Sequence, residues 1–251
     1  MKKLLLSVAV TLLTSLSWAH DETESRVTIE PEVQGSYIAG SINYSFQLFD
    51  GQLNKTLSDK DLLLTNTKIL HFIAYDASRN EFNHVHPTFN GKSWEVDLNL
   101  SVNGSYFFWA QGQLLDGTEF SIFKKAQIIN GKPELPVIPI VEKRKASDGM
   151  TTVTLDDTKL KVGIPAMMSY KVSRLDGKPP QITPYLGSIA HVIAVSPDGD
   201  ELIHVHPMAV GDPNSGMAHA SFPNEGDYRI WIQLMDQGEL KIIPLSVKVS
   251  K

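Results

Sequence analysis

His71-Phe-Ile-Ala-Tyr-Asp-Ala-Ser-Arg-Asn-Glu-Phe-Asn-His84-Val-His86-Pro87 returns 120 residues later as His191-Val-Ile-Ala-Val-Ser-Pro-Asp-Gly-Asp-Glu-Leu-Ile-His204-Val-His206-Pro207. Eight of the seventeen positions are identical, without a gap, and three of the eight are histidine. Two further landmarks repeat in the same order. Gly104-Ser-Tyr106-Phe-Phe-Trp109-Ala-Gln111 matches Gly226-Asp-Tyr228-Arg-Ile-Trp231-Ile-Gln233, and Asp50-Gly51 matches Asp176-Gly177. Ordered landmarks with small shifts in spacing are the signature of a duplicated domain.

Working outward, the first copy spans residues 26–129 and the second 151–251. Residues 130–150 read as a linker, with Pro133, Pro136 and Pro139 followed by the charged run Glu142-Lys143-Arg144-Lys145. Prolines stiffen such a segment into a semi-extended spacer. Residues 1–19 read as a signal peptide. Lys2 and Lys3 precede an apolar run from Leu4 to Leu16, and Ser17-Trp18-Ala19 supplies small residues at a cleavage site before His20. The run is shorter than the roughly 20 residues of a spanning helix, so no membrane span is expected after cleavage. The expected location is periplasmic or secreted.

Each copy reads as strands. Ser41-Ile-Asn-Tyr-Ser-Phe-Gln-Leu-Phe49 alternates polar and apolar, and turn residues recur every 8–12 positions. A tandem β-sandwich is expected, with copies of about 100 residues. The chain has no cysteine, which excludes disulfides, thiolate zinc sites and a blue-copper centre. Its net charge of −5 leaves no basic face for nucleic acid. No phosphate loop, nucleophile elbow or His-Glu-x-x-His motif is present.

The histidines carry the functional expectation. A hairpin closed at Asp198-Gly199, a strong type I′ signal, makes opposed residues sum to 397. His191 then faces His206, with His204 on the same side. In the first copy His71 faces His86, with His84 beside it, provided that the loop Ala77–Asn80 has an even length. Three convergent imidazoles without thiolate suit Cu(II), Zn(II), Ni(II) or Fe. One three-histidine metal site is therefore expected in each domain: His71, His84 and His86, then His191, His204 and His206. One histidine on a strand is more often an ordinary core or surface residue, so a structural cluster is the alternative.

The pattern His-x-Ile-Ala, a short turn and His-Val-His-Pro, preceded by Pro184-Tyr185-Leu186-Gly187, resembles secreted bacterial β-sandwich domains described as metal-associated. Such domains are found beside copper-handling and heavy-metal proteins. The resemblance covers residues 163–249 closely and the first copy more loosely, where Asp61-Leu-Leu-Leu-Thr-Asn66 replaces the Pro-Tyr-Leu-Gly approach. It implies an Ig-like or cupredoxin-like sandwich.

The expected function is an exported protein that binds copper, or alternatively zinc, for buffering, delivery or sensing, with another exported protein as a possible partner. An interaction module with a non-ligating cluster is one alternative; a metal-dependent oxidase or monooxygenase is another. A non-enzymatic role is favoured. Trp109 and Trp231 read as core aromatics. The six methionines after the leader all lie from Met150 onward and read first as core filler. His20, as a mature N-terminus, would carry an amine and an imidazole able to chelate copper.

Overall fold

The structure, a computed structural model, describes residues 25–65 and 68–251. The leader and His20 lie outside the described residues. Ten strands form the first sandwich: β1 (Val27–Pro31), β2 (Ser36–Ile38), β3 (Gly40–Asp50), β4 (Lys55–Leu57), β5 (Leu70–Asp76), β6 (Phe82–Val85), β7 (Thr88–Phe89), β8 (Trp94–Leu100), β9 (Gly104–Gln113) and β10 (Glu119–Ile129). Eleven form the second: β11 (Lys145–Asp148), β12 (Thr151–Leu155), β13 (Leu160–Lys161), β14 (Ala166–Arg174), β15 (Ile182–Thr183), β16 (His191–Val195), β17 (Leu202–Val205), β18 (Met208–Val210), β19 (Asp212–Ala220), β20 (Gly226–Asp236) and β21 (Glu239–Ser250). No described helix is long and apolar enough to cross a membrane.

One sheet of the first sandwich runs β1-β3-β8-β7 and the other β2-β10-β9-β5-β6; adding eleven to each strand number gives the sheets of the second sandwich, where β11 is added beside β12. In both copies the short strand, β2 or β13, joins its sheet in parallel. This is the strand arrangement of an immunoglobulin-like sandwich. A second mark of that fold is a tyrosine at the start of a central strand whose hydroxyl returns to backbone just upstream. The Tyr106 hydroxyl accepts from the Val102 N–H at 3.4 Å, and the Tyr228 hydroxyl donates to the Asn224 carbonyl at 3.1 Å. The chain is thus two tandem Ig-like β-sandwiches.

Alternation explains the cores. On β3, Tyr44, Phe46 and Leu48 point inward, and they meet Phe72 and Phe108 from the opposite sheet. The rings pack tightly, with Tyr44–Phe108 centroids 4.9 Å apart and Phe46–Phe72 at 5.4 Å. Each such ring contributes about 1.5–3 kcal/mol on burial, so the sandwich closes without a disulfide. In the second copy Tyr170, Val172, Tyr228 and Ile230 play the same part.

Two expectations change. Residues Lys145–Asp148, inside the stretch read as linker, pair with Thr151–Thr154 as β11. Strand structure in the second half therefore begins at 145 rather than 151. The hairpin turn is also not type I′, which needs two residues with positive φ. Gly199 has φ 84, but Asp198 is not in that region. Pro197 explains this. Its fixed φ suits the second position of an ordinary β-turn, and the Gly199 N–H donates to the Ser196 carbonyl at 3.1 Å. Four loop residues, 197–200, result.

Candidate metal centre

The four-residue loop keeps the expected register. Ile193 pairs with His204 and Val192 with Val205, so opposed residues sum to 397. In the first copy Ile73 pairs with His84 and Phe72 with Val85. Its loop uses the same turn, with the Arg79 N–H on the Asp76 carbonyl at 2.9 Å and Arg79 at φ 60 where Gly199 stands in the second copy. Asp76 carboxylate oxygens hold it by accepting from the N–H groups of Ser78, Asn80 and Glu81.

Strands β5 and β16 are buried on both faces. Leu70, Phe72 and Ala74 point into their own core, which leaves His71, Ile73 and Tyr75 on the outer face. Val192 and Ala194 likewise turn inward, and His191, Ile193 and Val195 outward. The outer faces of the two copies cover each other. Near the hairpin turns Ile73, Tyr75, Trp109, Ile193, Val195 and Trp231 form one apolar cluster. Phe82 stacks on Trp231 at 4.6 Å, and the Tyr75 hydroxyl crosses to donate to the Gly199 carbonyl at 3.1 Å. Trp109 and Trp231 thus belong to the junction between the sandwiches, not to the sandwich cores. They sit an odd number of residues from Tyr106 and Tyr228, which puts them on the opposite strand face.

Further from the turns, the same junction is made of histidine. All six expected residues meet there. Within copies, ring centroids lie 4.7 Å apart for His71–His86 and 4.4 Å for His191–His206. Between copies they lie 4.8 Å apart for His71–His204, and 4.7 Å for both His84–His191 and His84–His204. The two expected triads are thus drawn together into a single cluster across the junction. Nitrogens of His191, His204 and His206 lie within 4.8 Å of one another, as the hairpin argument requires. Among the described residues the other such group is His71 and His84 with His204 of the second copy, rather than with His86. His86 instead places Nε2 3.2 Å from His71 Nδ1.

Backbone and amide oxygens set the tautomers, because an oxygen acceptor requires the proton on the nitrogen facing it. His191 Nε2 donates to the Tyr185 carbonyl at 3.0 Å, and His71 Nε2 lies 3.5 Å from the Thr65 carbonyl, its counterpart. Both Nδ1 lone pairs therefore turn into the cluster. His84 Nδ1 donates to the Gln233 side-chain oxygen across the junction at 2.9 Å, which leaves His84 Nε2 bare. Metal-ligating histidines are commonly oriented this way, by a hydrogen bond from the nitrogen opposite the ligating one. His84 Nε2, His86 Nδ1 and His206 Nε2 are buried and have no hydrogen-bond partner.

Burial pushes all six imidazoles below their ordinary pKa, the pull being deepest at His84 and His204. His71 and His206 fall to about 4 and His86 to about 3; the positive charges of neighbouring rings add to the desolvation. The cluster is neutral at pH 7, the form that binds metal. Two nitrogens bound at 2.0–2.1 Å to a tetrahedral ion stand about 3.3 Å apart. His191 Nδ1 and His204 Nε2 are already 3.3 Å apart. A cavity of about 340 Å³, lined in part by Thr65, Gln111, Glu119 and Ser121, reaches His71 and His204.

Gln233 and the Thr65 and Tyr185 carbonyls were not among the expected site residues. Gln111 and Gln233 nevertheless close the Gly-x-Tyr…Trp-x-Gln repeat, and register places them beside His71 and His191. His219 is exposed on β19, outside the cluster.

Residues 145–251 match a family described as a domain of unknown function (DUF8832). That match begins where β11 begins. No curated protein matches the chain. Among solved structures, fibronectin(III)-like modules of CbhA from Clostridium thermocellum are 17% identical, with 89% of this chain and 92% of that one covered and a TM-score of 0.25. The Escherichia coli adhesin FdeC is 12% identical, covering 90% of this chain and 65% of its own, with a TM-score of 0.28. Invasin, a bacterial integrin-binding protein, is 12% identical, covering 89% and 39%, with a TM-score of 0.25.

Proposed function

We propose that this chain binds a transition-metal ion, copper or alternatively zinc, at the histidine centre between its sandwiches, and serves outside the cytoplasm to buffer, deliver or sense that ion. The observation that carries this reading is the set of three buried, unpartnered nitrogens on His84, His86 and His206. Each buried polar atom left unsatisfied costs about 1–3 kcal/mol. His84 and His206 each belong to a close group with His204, where a bound cation would satisfy the bare nitrogen. An all-imidazole ligand set suits copper(II) and zinc. The leader pattern of residues 1–19 supports export.

The test is a thermal melt of the full chain with and without stoichiometric Cu(II) or Zn(II) at pH 7.5. An ion that binds only the folded state at a hundredfold over its Kd stabilises by about 2.7 kcal/mol. A clear rise in Tm is expected for the wild type and for His219→Ala. His204→Ala should lose most of it, since His204 belongs to both close ligand groups.

A second reading is an interaction module in which the cluster only joins the sandwiches. It is favoured by the pairing of rings with one another, His86 on His71 at 3.2 Å and His204 on His191 at 3.3 Å. Under it, His204→Ala lowers the Tm without metal, and no ion raises the Tm of the wild type.

A further inference from the structure

The methionines of the second sandwich separate by face. Met168 is 2% exposed in the core, as a gap-filling residue should be. Met167 beside it is 38% exposed and Met208 is 50% exposed. Strand register gathers these on one surface. Met208 pairs directly with Met217 across β18 and β19, and Met167 pairs with His219 across β14 and β19. Met217 and His219 are two residues apart and share a face. His219 is exposed and Met217 half-buried.

Four side chains thus occupy two adjacent rows on three neighbouring strands. Opposed Cβ atoms in a sheet stand roughly 4.5–5.5 Å apart and diagonal ones 7–8 Å. A flexible thioether or an imidazole spans that gap. The neighbouring pairs are Ser169, opposite Met217, and Lys171 with Ser215 one row further on. Asp156 accepts the Ser169 N–H at 2.8 Å.

Thioether sulfur is a neutral, soft donor that selects Cu(I) over Cu(II) and zinc, and one imidazole is compatible with it. We propose that Met208, Met217 and His219, with Met167 closing the set, form a surface site for monovalent copper. The site differs from the buried centre in place and in ligand type. It begins two residues after His206, where the chain passes through Pro207 from one sheet to the other.

The experiment uses the full chain with methyl-labelled methionine and silver nitrate, silver(I) being a soft monovalent ion that does not change oxidation state. At one equivalent the methyl signals of Met208 and Met217 should move. Met168 in the core should not, nor should Met150, which is 52% exposed at the far end of the sheet, where its carbonyl accepts from Leu175. Met217→Leu, a volume-conserving change, should remove the response at Met208. It should also weaken Cu(I) by roughly tenfold or more, measured in competition with bicinchoninate. His204→Ala should leave both results intact. Equal shifts at Met150 and Met208, no shift at either, or unchanged Cu(I) affinity in Met217→Leu would overturn the site without touching the buried centre.

Discussion

His84 shows how one residue's role depends on a partner in another domain. Its Nδ1 hydrogen bond to Gln233 fixes which nitrogen faces the cluster. Gln233→Leu removes the acceptor and frees the ring to flip. Metal binding should weaken about 10–100-fold, the usual cost of losing such a partner, with Gln233→Glu retaining most of the affinity. Competition titration against a chromophoric chelator reads both. The same burial has a consequence for the metal-free protein. All six folded pKa values lie below the unfolded value of about 6.5. The unfolded chain therefore takes up protons first as pH falls. The contribution is fully present above about pH 6.5 and declines as pH drops toward the folded values, about 4 for His71 and His206. Urea midpoints of the metal-free chain should fall steeply from pH 7 to pH 5. A flat profile would contradict the neutral, buried cluster. The pairing of His71 with His86 and of His191 with His206 was legible from residue numbers, because strand register is arithmetic. Gln233 was legible only as part of a repeat, because nothing local in a sequence tells which distant side chain a ring nitrogen meets.

At the scale of the hairpin, the loop decides whether the histidines share a face. A one-residue change in its length would send His204 and His206 to the other side. Gly199 holds φ 84, in the region that costs a side-chain-bearing residue about 1–2 kcal/mol. Gly199→Ala should lower stability by about that much in urea unfolding. Its Cβ would meet Phe107 and Tyr75 only at 3.9 Å, so the loss is conformational rather than steric. Arg79, at φ 60, already bears that cost in the first copy, and its guanidinium gains a hydrogen bond to the Pro197 carbonyl. Asp198-Gly199 pointed correctly to a turn and to its centre. The turn type differs because Pro197, one residue earlier, restricts φ more firmly than the Asp-Gly pair asks. Strand β11 is hard to read from the sequence for a related reason. Lys145-Ala-Ser-Asp148 has little strand character of its own, and tertiary pairing with β12 makes it one.

For the whole molecule the decisive fact is that the two outer faces cover each other. Alternation along β5 and β16 revealed two-sided burial only weakly, since an apolar strand reads the same whichever neighbour covers it. Taken one copy at a time, the repeat gives two separate sites. Docked face to face, it gives one histidine cluster drawn from both sandwiches, bordered by Tyr75, Trp109 and Trp231. An ion bound there would tie the sandwiches together. The most direct measurement is anomalous X-ray diffraction at the metal edge from crystals of the full chain grown with zinc or Cu(II). A peak is expected between the sandwiches, about 2.0–2.1 Å from nitrogens that include His204 and at least one histidine of the first copy. A peak bound by one copy's histidines alone, a peak only at exposed His219, or none in the junction would contradict it.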